Sequence, residues 1–353
     1  MSGSRKQVAI KENEAATPKI VYVIGAGLSA GLGFPTINNL LPRIWHRLER
    51  TGLAEDIGRI IRFHYPSFDP SHESTFPNIE QLLSLMQANE QLFSSSRPAT
   101  GSFTSVDLRK RRQGLLLEIA LWFHELQRQV LDKPAAWLLE LVYQIKQQEA
   151  QVISFNWDLL LDELLFGADL RPECYGFGGE SFGPRLIKPH GSLNWYEHKT
   201  GRYLKGAKKF TLEGSGEDEV LAFTEYRAPK STKRKYMPLI VPPVYTKQFQ
   251  GALFAHLWRT SVDVLSVASE VRFLGYSMAP ADFHARFILR CGFHNQEEGV
   301  ITRNGKRAIA TGRSRVEVVD LDKGVPDRIQ EIVGWPCVGH VETIEDWVES
   351  RFG

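Results

Sequence analysis

The sequence predicts an α/β fold, a doubly wound and mostly parallel Rossmann-like sheet with a helical insertion. Three observations lead there. In KIVYVIGAG five apolar residues, Ile20 to Ile24, run straight into glycine, as a strand buried on both faces of a parallel sheet does. Leu41, Ile44, Trp45 and Leu48 of LLPRIWHRLER then recur at helical spacing, so strand, glycine loop and helix follow in the order of a βα unit. Further short apolar stretches stop at polar or glycine loops in VISFNWD, RLIKPHG, PLIVPPVYTK, VRFLGYS and RVEVVDLD, the repeated strand ends of an open sheet.

Taken in order, residues 1–18 read as a charged N-terminal tail and residues 19–353 as one domain. From about 52 to 148 the pattern turns helical, with IEQLLSLM, GLLLEIALWFHELQRQVL and PAAWLLELVYQIKQQ interrupted by SSSRPATGS. This insertion fits a cap over the site or a surface for other subunits, and both readings stand. A strand from Val152 to Phe155 ends at Asn156, and His190 and Gly191 follow the next apolar stretch. A polar excursion at about 199–235, with GSGEDE and KSTKRK knots, reads as a hairpin or a mobile segment. VRFLGYSMAPADFHARFILR leads from strand to helix, and DWVESRFG closes the fold as a helix.

Composition bounds the function. A chain of 353 residues with 42% hydrophobic and 24% charged residues has enough apolar material for one large core plus an insertion. Its net charge of +2 gives no reason to expect direct nucleic-acid binding. Cys174, Cys291 and Cys337 lie far apart, without the spacing of a disulfide framework or a zinc site. No stretch has the length of a signal peptide core or approaches the roughly 18 apolar residues of a membrane span, so the expected location is the cytoplasm, without a membrane partner.

Four loops carry residues able to do chemistry. Gly25 and Gly27 let a ligand phosphate approach the backbone, and equally they serve any sharp turn. Asn156 and Asp158 lie in SFNWD; Asn156 fits a helix N-cap as well as a group that holds a ribose hydroxyl or a water. His190 beside a glycine at a strand end suits proton transfer near neutral pH, whereas His124 and His256 read as core or boundary residues. Gly275 and Ser277 mark another strand end, with Asp282 the better cap candidate; Asp282 and His284 alone are too few ligands for a closed metal site.

In their order, GAGLSAGLGFPT, SFNWD, KPHGSLNW and GYSMAPADFH resemble the motif series of the sirtuin superfamily, over roughly residues 19–321. The FNWD and HGSLNW forms and LIVPPVYTK look more like the sirtuin-like domains of bacterial anti-phage defence systems than like protein deacetylases. Deacetylating sirtuins usually carry a four-cysteine zinc module after His-Gly, which this chain lacks, and their first loop continues differently after the proline, where Thr36 follows Pro35 here. The helical insertion is also characteristic of the defence branch. The resemblance implies NAD+ as substrate, no metal, and cleavage of the nicotinamide-ribose bond with water as acceptor. It implies Asn156 as the holder of ribose and water, and His190 as general base. Gly25, Ala26, Gly27 and Ser29 would line the pyrophosphate, with Pro35 and Thr36 in the same NAD+-binding loop. Asp158 would support the ribose, and Gly275 and Ser277 the adenosine half. Asp320 would meet the adenine ribose, or else is a turn residue before Lys323 and Gly324.

The implied role is NAD+ depletion during phage infection. Such activity needs gating, which implies a homo-oligomer or a separate activating protein, ATPase, nuclease-like or Argonaute-like. The alternatives are a protein deacylase, an ADP-ribosyltransferase, and a sensor that binds NAD+ or ADP-ribose without cleaving it.

Overall fold

A computed structural model describes residues 19–92, 104–178, 183–202, 204, 208–213, 219–227, 236–241, 252–279, 282–299 and 311–353. The predicted tail, the SSSRPATGS stretch, the KSTKRK knot, most of GSGEDE and the end of LIVPPVYTK lie outside the described residues.

The chain begins with β1 (Ile20–Ile24), whose five residues are all buried, and passes into a short helix α1 (Ala26–Ala30). Then come α2 (Leu40–Arg50), α3 (Ala54–His64), α4 (Ile79–Leu92), the 28-residue α5 (Ser105–Asp132) and α6 (Ala136–Gln147). The α/β pattern resumes with β2 (Gln151–Ser154), α7 (Leu160–Leu165) and β3 (Arg185–Ile187). After β4 (Trp195–Glu197), α8 (His198–Gly201), β5 (Lys209–Glu213) and β6 (Val220–Phe223) come α9 (Ala252–Ser266) and β7 (Glu270–Leu274). The chain ends with α10 (Phe283–Glu298), β8 (Arg315–Val319), α11 (Val325–Val333), β9 (Val338–His340) and α12 (Ile344–Phe352).

Six strands form one parallel sheet in the order β3-β2-β1-β7-β8-β9. Numbered within that sheet alone, this is the doubly wound order 3-2-1-4-5-6. The winding reverses between β1 and β7, which pair in register from Ile20 with Glu270 to Ile24 with Leu274. The strand predicted to end at Phe155 stops one residue earlier, although the Phe155 amide still donates to the Ile24 carbonyl at 2.9 Å. The described part of the polar excursion is an antiparallel pair, β5 with β6, which continues into β4.

Two hydrophobic cores share the molecule. The first lies on the faces of the parallel sheet. The second joins α2–α5 to one side of the small antiparallel sheet, through residues such as Leu41, Leu83, Leu116, Tyr196 and Phe223. The helical insertion expected at about 52–148 does not map onto a single core. α2 and α3 already belong to the second core, whereas α6 puts Trp137, Leu138, Leu141, Val142 and Ile145 into the first. Parallel strands need a crossover, and α6 is the helix that delivers the chain from the helical layer to β2. α5 starts from a capping box in which the Thr104 hydroxyl accepts from the Asp107 amide and the Asp107 carboxylate accepts from the Thr104 amide. Among the described residues no helix is long and apolar enough to cross a membrane.

Candidate functional site

The site lies at the carboxyl ends of β1, β2, β3 and β7, where the order of the sheet reverses. There the loop after β1 and the loop after β7 touch along their backbones. The Gly27 amide donates to the Gly275 carbonyl at 2.8 Å, and the Gly25 amide to Leu274 at 3.2 Å. A Cβ on Gly27 would come within 2.5 Å of the Gly275 Cα, and Gly275 itself has a φ of +60°. The smallness of these glycines is thus used by the protein itself, to bring two strand ends together.

Beside this contact opens a cavity of about 140 Å³, continuous with solvent at its mouth. Gly25, Ala26 and Ser29 line one part of it, Phe155, Asn156, Trp157 and Asp158 another, with His190, Val241, Tyr276, Ser277, Ala279 and Asp282 completing the sheet side. The remaining wall comes from Phe34, Pro35, Thr36, Ile37 and Leu40, together with Ile79, Glu80 and Phe123 of α4 and α5. The helical layer therefore supplies one wall of the cavity.

Asn156 is fixed by both hydrogens of its amide, which donate to the Gly25 carbonyl and to Ser29 Oγ, each at 3.0 Å. Its Oδ1 is then the atom with which it can accept from a hydroxyl or a water. Ser29 Oγ passes its own hydrogen to Asp158 Oδ2 at 2.7 Å, so Asp158 holds Ser29 and Ser29 holds Asn156. Asp158 Oδ1 accepts from the Leu160 amide at 3.2 Å, a local turn ahead of α7, whose N-cap is Leu159 rather than Asn156. Burial raises the Asp158 carboxyl above its usual range, opposed by the nearby Lys188 charge and the Ser29 hydrogen bond.

His190 is held through its backbone. Its carbonyl accepts from the Val241 amide at 2.8 Å, while the Trp258 indole donates to the Pro189 carbonyl at 3.2 Å. Gly191 follows with a φ of +78°, and a Cβ there would lie 2.1 Å from the Leu239 carbonyl oxygen, so a larger residue would displace the loop. The imidazole meets the Phe155 ring edge-on, Phe155 stacks on Tyr276 at 4.5 Å, and His190 Nε2 lies 3.3 Å from Asp282 Oδ2. Burial, reinforced by the Asp282 carboxylate, holds the Tyr276 phenol well above its usual range, so it remains a donor to Asp282 Oδ2 at 3.4 Å.

Solved structures similar to this chain are Sir2 proteins. A Sir2 homologue in complex with NAD is 12% identical over 94% of this chain and 87% of that one, with a TM-score of 0.45. The ADP-ribose complex of a Sir2 homologue mutant is 10% identical over 94% and 89%, with a TM-score of 0.44. A Sir2 complex with a peptide and NAD+ is 13% identical over 94% and 91%, with a TM-score of 0.38. No family model and no curated protein matches the chain.

Of the residues that the sequence singles out, Gly25, Ala26, Ser29, Pro35, Thr36, Asn156, Asp158, His190 and Ser277 line the cavity. Gly27 and Gly275 are not among the lining residues; they form the backbone contact beside the cavity. The Ser29 hydroxyl, expected on a pyrophosphate, is engaged on both sides by protein groups. Asp320 does not line the cavity either: its Oδ1 accepts from the Asp322 amide at 2.9 Å, the turn-residue alternative. Asp282 caps α10 by accepting from the Ala285 amide, as its position suggests, and His284 instead packs its ring against Trp258. Among the described residues no group of three His, Cys, Asp or Glu side chains is placed to hold a metal ion. Sequence reading missed Glu80, Ile79 and Phe123, because helical periodicity marks a buried face without saying that part of it borders a cavity.

Proposed function

We propose that this chain binds NAD+ in the cavity and hydrolyses its nicotinamide-ribose bond to nicotinamide and ADP-ribose. The observation that carries this reading is the meeting of Asn156 and His190, from two different strand ends, on one cavity at the switch point of the sheet. An amide acceptor and an imidazole are what hydrolysis of a glycosidic bond to a cationic leaving group requires, because the ring nitrogen departs without needing a proton. Asn156 Oδ1 orients the ribose or the attacking water. His190 accepts the proton released as the water oxygen bonds to the anomeric carbon, and the electron pair of the broken bond goes to the nicotinamide nitrogen. Asp158 and Ser29 keep Asn156 in place. The order of the four sirtuin-like motifs along the chain supports NAD+ as the ligand.

Water as the acceptor is supported by the helical layer. Phe34, Leu40, Ile79 and Phe123 bring apolar surface over the site, which favours a small acceptor over a polypeptide. We further propose that the activity serves anti-phage defence by depleting NAD+ in the cytoplasm, and that a homo-oligomer or a separate partner gates it. Incubation with NAD+ tests the reading. Free nicotinamide and ADP-ribose without an acyl-peptide are expected, with losses of at least about a hundredfold in Asn156→Ala and His190→Ala. Product formed only with an acyl-peptide would establish a deacylase instead, and absence of product with retained binding, under triggering conditions as well, would establish a sensor. Full turnover by the purified chain, with no gain from any partner, would remove the gating.

A further inference from the structure

We propose that Asp282 is a positioning residue for His190, forming with it a buried carboxylate-imidazole dyad; this rests on the reading of His190 as the base. The two carboxylate oxygens of Asp282 have different employers. Oδ1 accepts from the Ala285 amide at 3.3 Å and fixes the side chain to the start of α10. Oδ2 faces His190 Nε2 at 3.3 Å and also accepts the Tyr276 hydroxyl at 3.4 Å. The side chains of His190 and Asp282 are only 11% and 8% exposed, so their attraction is weakly screened by solvent.

A carboxylate can only accept, so the ring nitrogen that faces it carries hydrogen. Nε2–H toward Asp282 leaves the lone pair on Nδ1, which makes Nδ1 the atom that takes the proton from water or from a ribose hydroxyl. The imidazolium that results keeps its Nε2–H beside the carboxylate, which stabilises the charge at the moment it forms. The proton then leaves Nδ1 for solvent, and the dyad returns to its starting state. Tyr276, a permanent donor stacked on Phe155, fixes the orientation of Oδ2 from the other side. The site thus joins α10 to the loop after β3 through this pair.

Asp282→Ser and Asp282→Asn separate this role from helix capping. Serine caps a helix as well as aspartate but is too short to hold His190, and asparagine keeps the shape without the charge. Both variants are expected to retain the thermal midpoint and to leave KM for NAD+ within about twofold, while kcat falls by at least about tenfold. Nitrogen-15 NMR of the histidine-labelled full chain, with His190→Gln to assign the signal, reads the tautomer directly. The wild type is expected to be protonated at Nε2. An Nδ1-protonated ring in the wild type, or unchanged kcat in both variants, would overturn the proposal. Should the wild type fail to turn over NAD+ under triggering conditions as well, the functional reading falls, and the tautomer measurement alone decides the dyad.

Discussion

At the scale of single residues, the junction of the loops after β1 and β7 depends on two glycines in contact. Gly275 combines a φ of +60° with a neighbour 2.6 Å from any added Cβ, namely the Gly27 backbone. Left-handed backbone costs a side chain about 1–2 kcal/mol and overpacking about 1–3 kcal/mol more. Gly275→Ala is therefore expected to lose about 3 kcal/mol, read as a lower urea midpoint with an unchanged slope. Gly33 is the control: its φ is +92°, but nothing lies within 4 Å of the added atom. Gly33→Ala should lose about 1–2 kcal/mol, from backbone strain alone. Equal losses in the two variants would mean that the Gly27–Gly275 contact is not what requires glycine. The sequence made these residues conspicuous, but it could not say whether a ligand or another strand end approaches them, because both need the same missing side chain.

At the scale of elements, Lys188 ties the loop after β3 to the loop after β2. Its ammonium donates to the Asp158 carbonyl at 2.7 Å, to Asp162 Oδ2 at 3.0 Å and to Ser192 Oγ at 2.7 Å, with its side chain only 1% exposed. Tyr175 donates to the other Asp162 oxygen, and burial beside that carboxylate holds its phenol well above the usual range. Removing the cation alone would leave Asp162 buried and charged. Lys188→Met is thus expected to lose about 3–5 kcal/mol by urea denaturation, and Lys188→Met with Asp162→Leu to recover a substantial part of it. A double variant no more stable than the single one would show that the ammonium acts through its other two hydrogen bonds. In the sequence, Lys188 reads as one more polar residue at a strand end, since burial of a charge needs partners from distant segments that no local pattern announces. The same limit applies to α6. Its apolar spacing announces a helix, yet a second set of buried positions is needed to tell that it packs on the sheet rather than with α2–α5.

At the scale of the molecule, the cavity lies where the two cores meet. The sheet contributes strand-end residues such as Asn156 and His190, and the helical layer contributes Ile79, Glu80 and Phe123. β1, β2, β3, β7 and β8 were legible because each ends at its own loop signal, whereas β9 went unread and PLIVPPVYTK, read as a strand end, contributes among the described residues only an isolated bridge of Ile240 with Gly191. The meeting of the layers depends on side chains that are far apart in sequence. A ligand filling this space must contact both layers, and binding free energy gained from both opposes local opening in both. Hydrogen exchange with and without ADP-ribose, the stable product, measures this without turnover. Protection is expected in the loops after β1, β2, β3 and β7, and also in the first turn of α4 and around Phe123 in α5. Helices that merely stand beside the site would exchange at the same rate with and without ligand. Protection confined to the sheet loops would therefore show that the helical layer stays open when ADP-ribose is bound, and the argument for water over a larger acceptor would lose its structural support.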